Sequence, residues 1–144
     1  MILRSVILVA MMAFASQPAL AEIARVKATS GTASVKRGSN QVSAKVGQTL
    51  ETGDWLVTGK DGRVAVTFVD NTRFAVGPNS QVEVSKFDYD RTRQQGNFVT
   101  RVNRGSLAVV SGRIAKSGQD AMKVQTPTSL LGVRGTRFIV EVPK

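Results

Sequence analysis

The chain has no cysteine and no histidine in its 144 residues. Without cysteine there is no disulfide, no thiolate metal site and no thiol nucleophile. Without histidine the commonest general base and metal ligand are missing, and so is any Ser-His-Asp arrangement. Catalysis would need Ser-Lys chemistry or paired carboxylates. No Ser-x-x-Lys follows Ala21, and the ten acidic residues are scattered. The reading is a non-enzymatic protein with no catalytic residue, no metal site and no cofactor. Acid is also scarce, since 20 Lys and Arg face 10 Asp and Glu, a formal charge of +10. Long apolar runs are missing beyond the N-terminus, so no transmembrane anchor is expected.

What the N-terminus does hold is a leader. Arg4 gives a positive start, Val6 to Ala15 an apolar core, and Ala19-Leu20-Ala21 a small-x-small box. Residues 1–21 read as a signal peptide cleaved between Ala21 and Glu22, which leaves one domain over residues 22–144. The expected compartment is the periplasm of a Gram-negative cell. Export removes nucleic acid as a native partner for the basic chain. It leaves an envelope protein, or an anionic envelope glycan or lipid.

The rest of the chain is rich in Val, Thr, Gly and Ser. Short alternating runs recur between turn residues. Ala33 and Val35 fall on one face of the run from Thr32 to Lys36. Val64, Val66 and Phe68 do so between Arg63 and Val69, and Val82 and Val84 between Gln81 and Phe87. Phe87 breaks that last phase only if the strand stops near Lys86. No window carries an apolar stripe at helical spacing. The fold class expected is all-β, a single compact domain of many short strands. It is either a β-helical roll or a jelly-roll-like sandwich, a choice that periodicity leaves open.

Asp88 to Asn97 is polar and aperiodic, and reads as the longest exposed connection. Phe98 to Val102, Gly105 to Ser111 and Met122 to Gln125 read as separate strands, with a loop at Lys116 to Gln119. The Asp-Gly and Gly-Asp pairs read as turns rather than calcium ligands, because no Asp-x-Asp-x-Asp loop is present. One echo stands out: Thr72-Arg73-Phe74-Ala75-Val76 resembles Thr136-Arg137-Phe138-Ile139-Val140.

Basic residues crowd two acid-free stretches. One holds Arg25, Lys27, Lys36, Arg37 and Lys45. The other holds Arg91, Arg93, Arg101, Arg104, Arg113 and Lys116. Arg91, Arg93, Arg101 and Arg104, with Tyr89 beside them, are the candidate partner-binding residues, since Arg favours bidentate contact with carboxylate or phosphate. Trp55, the only Trp, reads as core or rim packing.

Several ordered motifs carry a family resemblance. Gly31 to Val35 fits Gly-x-Ala/Val-x-Val, and Gly47 to Asp54 fits Gly-x-x-Leu-x-x-Gly-Asp. Trp55 to Asp70 fits a long run that contains Thr-Gly-x-x-Gly and ends in Phe-x-Asp. Pro78-Asn79-Ser80 fits Pro-x-Ser. Thr126-Pro127 with Val133 to Phe138 fits Thr-Pro…Val-Arg-Gly-Thr-x-Phe. In these the chain resembles the FecR domain family. The resemblance implies an extracytoplasmic β-rich domain that, in well-known members, sits behind a transmembrane helix and relays transporter occupancy to an anti-sigma segment. A cleavable leader departs from that layout, so the expectation here is a stand-alone exported domain acting by protein–protein contact in envelope signalling or regulation. The alternative is a module binding peptidoglycan or lipopolysaccharide. The signature residues Thr126, Pro127, Gly132, Arg134, Gly135, Thr136 and Phe138 read as structural. Gly135 is expected at a bend that excludes a Cβ, and Arg134 and Arg137 are expected to donate to free backbone carbonyls.

Overall fold

The computed structural model describes residues 22–135 and 137–143. The expected signal peptide, with Ala21 of its cleavage junction, and Thr136 of the signature lie outside the described residues.

Alternation of apolar and polar residues makes most of this chain strand. The strands are β1 (Ala24–Ser30), β2 (Ala33–Arg37), β3 (Asn40–Ser43), β4 (Thr49–Leu50), β5 (Trp55–Thr58), β6 (Arg63–Phe68) and β7 (Arg73–Val76). They continue with β8 (Gln81–Asp90), β9 (Gln95–Val110), β10 (Met122–Gln125), β11 (Leu130–Val133) and β12 (Arg137–Val142). A short helix, α1 (Arg113–Ser117), follows β9.

β9 organises the rest. Its first half pairs with β8 on one side and β10 on the other. Its second half pairs with β7 and β12. The strand therefore belongs to two layers. The first runs β4-β1-β6-β7-β9-β12, and the second β3-β2-β5-β8-β9-β10-β11. The crossing lies at Gly105, whose φ of 90° is a left-handed conformation that favours glycine. A Cβ there would stand 2.1 Å from the Ser80 hydroxyl oxygen. That hydroxyl accepts from the Ser106 N–H at 2.9 Å and donates to the Pro78 carbonyl. Thr58 and Ser80, both from the sequence motifs, thus pin the bend: the Ser80 N–H donates to the Thr58 hydroxyl, which donates to the Gly77 carbonyl.

All pairings are antiparallel except β9 with β10. An antiparallel sheet folded over on itself settles the open choice in favour of a sandwich-like roll. The core lies between the layers. Phe68, Phe74, Phe87 and Phe98 form its aromatic end, with ring centroids 4.7 to 5.5 Å apart. Such edge and offset contacts add to area burial. Ala33, Val35, Val64, Val66, Val82 and Val84 all point inward, as their alternation requires.

Three expectations need correction. Residues 88–97 are not a long loop: β8 runs to Asp90 and β9 starts at Gln95, so only 91–94 turn. Phe87 is buried because the β8–β9 register shifts between Val84 and Lys86, where a bulge advances the phase by one residue. The stretch after Gly112 is helical. Buried Asp70 accepts from the Thr72 N–H and hydroxyl and from the Ile114 N–H, which fixes the start of α1 and drives Ile114 into the core.

Candidate functional site

Among the described residues no element covers the outer face of the first layer. Its side chains fall into rows across the strands. Ala28 of β1 stands opposite Ala65 of β6, Ala65 opposite Ala75 of β7, Ala75 opposite Ala108 of β9, and Ala108 opposite Ile139 of β12. Their chain neighbours Val64, Val66, Phe74, Val76, Leu107 and Val109 are buried. Alternation therefore turns the alanines outward. The four alanines span about 14 Å, at ~4.8 Å per strand. Ile139, 70 % exposed, ends the row.

A second row runs beside it: Arg25, Thr67, Arg73, Val110 and Arg137. On the other flank Ser30 pairs with Arg63, and Ser106 with Glu141. Two open depressions, of about 530 and about 670 Å³, lie over this face. Among the described residues Arg63, Arg73 and Arg137 form no ion pair, whereas Arg25 is held by Glu22 through two contacts of 2.8 and 2.9 Å. The Arg25 hydrogen bonds keep the Glu22 carboxyl below its usual range.

The edges of this face differ. β4 has two residues, whereas β12 has six and, among the described residues, pairs on one side only. A cleft of about 360 Å³ runs along the open side of β12, walled by Thr126, Thr128, Ser129 and Leu131.

The arginines singled out by sequence are spread along the β8–β9 hairpin rather than gathered. Arg91 and Arg93 sit at its tip, where Asp90 accepts the Thr92 and Arg93 N–H groups. Arg101 lies mid-strand opposite Glu83, with 4.0 Å between their charged atoms. Arg104 lies at the far end, next to the bend, about 30 Å from the tip along an extended strand. Tyr89 belongs to β8 and packs partly buried against the core, in phase with Phe87. Trp55 is partly buried on the phase of β5 opposite buried Leu56 and Thr58, between Lys36 of β2 and Glu83 of β8.

The signature stretch divides. Thr126 closes its turn by donating its N–H to the Ser129 carbonyl and accepting the Ser129 N–H at its hydroxyl. Pro127 is exposed in that turn. At Gly132 a Cβ would meet only a carboxylate oxygen of exposed Asp120, the far end of a side chain that can swing aside. Phe138 packs partly buried against the core. Gly135 differs from expectation: its φ is not left-handed, and a Cβ would find only the Arg137 carbonyl oxygen, at 3.7 Å. Its own carbonyl accepts from the Ser111 hydroxyl. Neither Arg134 nor Arg137 donates to a backbone carbonyl among the described residues. Arg134 is exposed, and Arg137 joins the arginine row.

The aspartates of the turn motifs serve the backbone. Asp54, 1 % exposed, takes two bonds from Arg37 at 2.8 and 2.7 Å and one from the Glu51 N–H. Asp61 accepts the Thr32 N–H, which holds its carboxyl below the usual value. The alanine row was legible in principle: Ala65, Ala75 and Ala108 each occupy an outward phase between buried residues. Only the strand order shows that they adjoin.

The family model described as FecR protein matches residues 54–144. The chain belongs to the FecR family. The matched stretch covers β5 to β12 and with them most of the exposed face, while the motifs at Gly31 to Val35 and Gly47 to Gly53 precede it. FecR membership points to a signalling-related role at the envelope. Neither the curated proteins nor the solved structures compared yield a match.

Proposed function

We propose that this FecR-family chain is a non-enzymatic, exported periplasmic domain that works by protein–protein contact in envelope signalling or regulation. The observation that carries the reading is the uncovered outer face of the first layer: a trough of four alanines flanked by Arg63, Arg73 and Arg137. Small side chains let a partner's backbone or side chains approach closely, and unpaired arginines favour an acidic partner through bidentate contact. Arg91 and Arg93, at the hairpin tip, extend the positive field that steers such a partner. Arg101 is partly engaged by Glu83, which leaves Arg104 as the third steering charge.

Two sets of charge reversals separate contact from steering. Arg63→Glu with Arg73→Glu abolishes capture of the partner from native envelope at physiological salt. Arg91→Glu with Arg93→Glu lowers the association rate and its salt dependence more than it raises the dissociation rate. Capture unchanged by the first pair removes the face from the reading. Salt-sensitive sedimentation with peptidoglycan or lipopolysaccharide, equally reduced by both pairs, would favour the glycan-binding alternative.

A further inference from the structure

β12 ends the first layer with its outer side open, and the direction of its free groups follows from one hydrogen bond. In an antiparallel ladder the N–H and C=O of a residue point to the same neighbour, and this direction alternates along the strand. The Gly77 N–H donates to the Ser106 carbonyl at 3.0 Å, so Ser106, Ala108 and Val110 face β7. Leu107 and Val109 then face β12, where their register partners are Val140 and Phe138. The N–H and C=O groups of Arg137, Ile139 and Glu141 are left aimed at the open side. Their side chains all stand on the outer face, with the most exposed large apolar residue in the middle.

An exposed, unpaired edge of this length recruits another strand unless it is blunted. The sequence of β12 selects which strand. Read antiparallel against itself about Ile139, it places Ile139 on Ile139, Arg137 on Glu141 and Glu141 on Arg137. Within one chain these two charges are about 13 Å apart along the strand and do not meet. Across the two-fold axis each acquires an opposite charge with Cβ atoms about 5 Å apart. A slip of two residues either way puts Ile139 opposite a charge and loses both pairs. A slip of one residue pairs an outward with an inward side chain and cannot form.

We propose that the chain forms a two-fold symmetric dimer through antiparallel pairing of β12 with β12 of a second copy, centred on Ile139. About six main-chain hydrogen bonds close the two edges. The Ile139 side chains cover one another, and Leu131, 47 % exposed beside the same cleft, is covered with them. The two alanine troughs then lie on one face, separated at the axis by the Ile139 pair, and the interface consumes Arg137 but leaves Arg63 and Arg73 free. The dimer stands whether or not an acidic partner binds that face.

Sedimentation of the purified protein over a concentration series tests it. Arg137→Glu or Glu141→Arg alone sets like charges opposite each other twice and weakens the dimer about tenfold or more. The double swap Arg137→Glu with Glu141→Arg restores it. Because the chain has no cysteine, Ile139→Cys reports the same contact independently. The Cα separation of about 5.5 Å in such a pair suits a disulfide, so mild oxidation links two copies. Val42→Cys, 54 % exposed on the β3 edge, does not link them. A protein that stays monomeric, a double swap that fails to restore association, or equal linkage at positions 42 and 139 overturns the proposal. In the monomeric case the edge is left for a strand of another protein.

Discussion

Arg73 and Arg137 stand opposite the same residue, Val110, from the two sides of β9. The equivalence continues down both strands. Phe74 and Phe138 flank Val109, Ala75 and Ile139 flank Ala108, and Val76 and Val140 flank Leu107. The Arg-Phe-x-Val part of the echo is thus one structural role used twice, antiparallel to a shared strand and in identical register. The two copies differ in their second neighbour: β6 pairs with β7, and among the described residues no second strand pairs with β12.

That difference predicts unequal costs for one substitution. Phe74, 1 % exposed within the aromatic cluster, loses about 3–5 kcal/mol on change to Ala. Phe138, only partly buried, loses about 1–3 kcal/mol. Chemical denaturation of both variants measures it, and equal losses would show that the open edge is covered in solution in a way that also buries Phe138.

Two glycines make a matched pair. Gly105→Ala meets a left-handed backbone and the Ser80 hydroxyl at once, a cost of about 2–4 kcal/mol. Gly135→Ala meets open space and shifts stability by less than about 1 kcal/mol. Thermal melts decide, and a large loss at Gly135 would restore the bend expected from sequence.

Much of the individual strand pattern was legible. Alternation over Arg63–Phe68 and Gln81–Val84 fixes which side chains face the core, because a buried face has a period of two. Gly105 misled, since a glycine between two apolar runs looks like a break, whereas here it lets one strand of sixteen residues serve two layers. The bulge between Val84 and Lys86 hid the far half of β8, because one extra residue inverts the phase and makes an inward Tyr89 look like loop. Strand order, and with it the alanine row and the open edge, depends on pairings between residues far apart in the chain. No local pattern records those.

Asp54 joins β2 to the turn before β5, and its carboxylate is almost fully buried while Arg37 is half exposed. Arg37→Ala strands that carboxylate with only the Glu51 N–H, at a cost of about 2–3 kcal/mol. Asp54→Asn with Arg37→Met should cost less than the sum of the two single changes, since the pair is removed together. A double-mutant cycle with additive losses would show that the two act separately.

Acid should expose the Asp61 contact. Its folded carboxyl is held below the ordinary 3.8, chiefly by the Thr32 N–H. A depressed value means the contribution is present above the unfolded value and is lost as pH falls through the folded one. The melting-temperature gap between the native chain and Asp61→Ala should therefore be constant from neutral pH down to about 5 and close below 3.8. A gap that persists at the lowest pH would assign the effect to packing instead.

The claim that matters most is that the alanine trough is a protein-binding face. A photo-crosslinking side chain introduced at Ala75, in cells carrying the protein in its own envelope, tests it directly. The account predicts one discrete protein adduct from position 75 that disappears with Arg63→Glu and Arg73→Glu and is missing from the same probe at Val42. Adducts that are equal at the two positions, or insensitive to the arginine reversals, would contradict it.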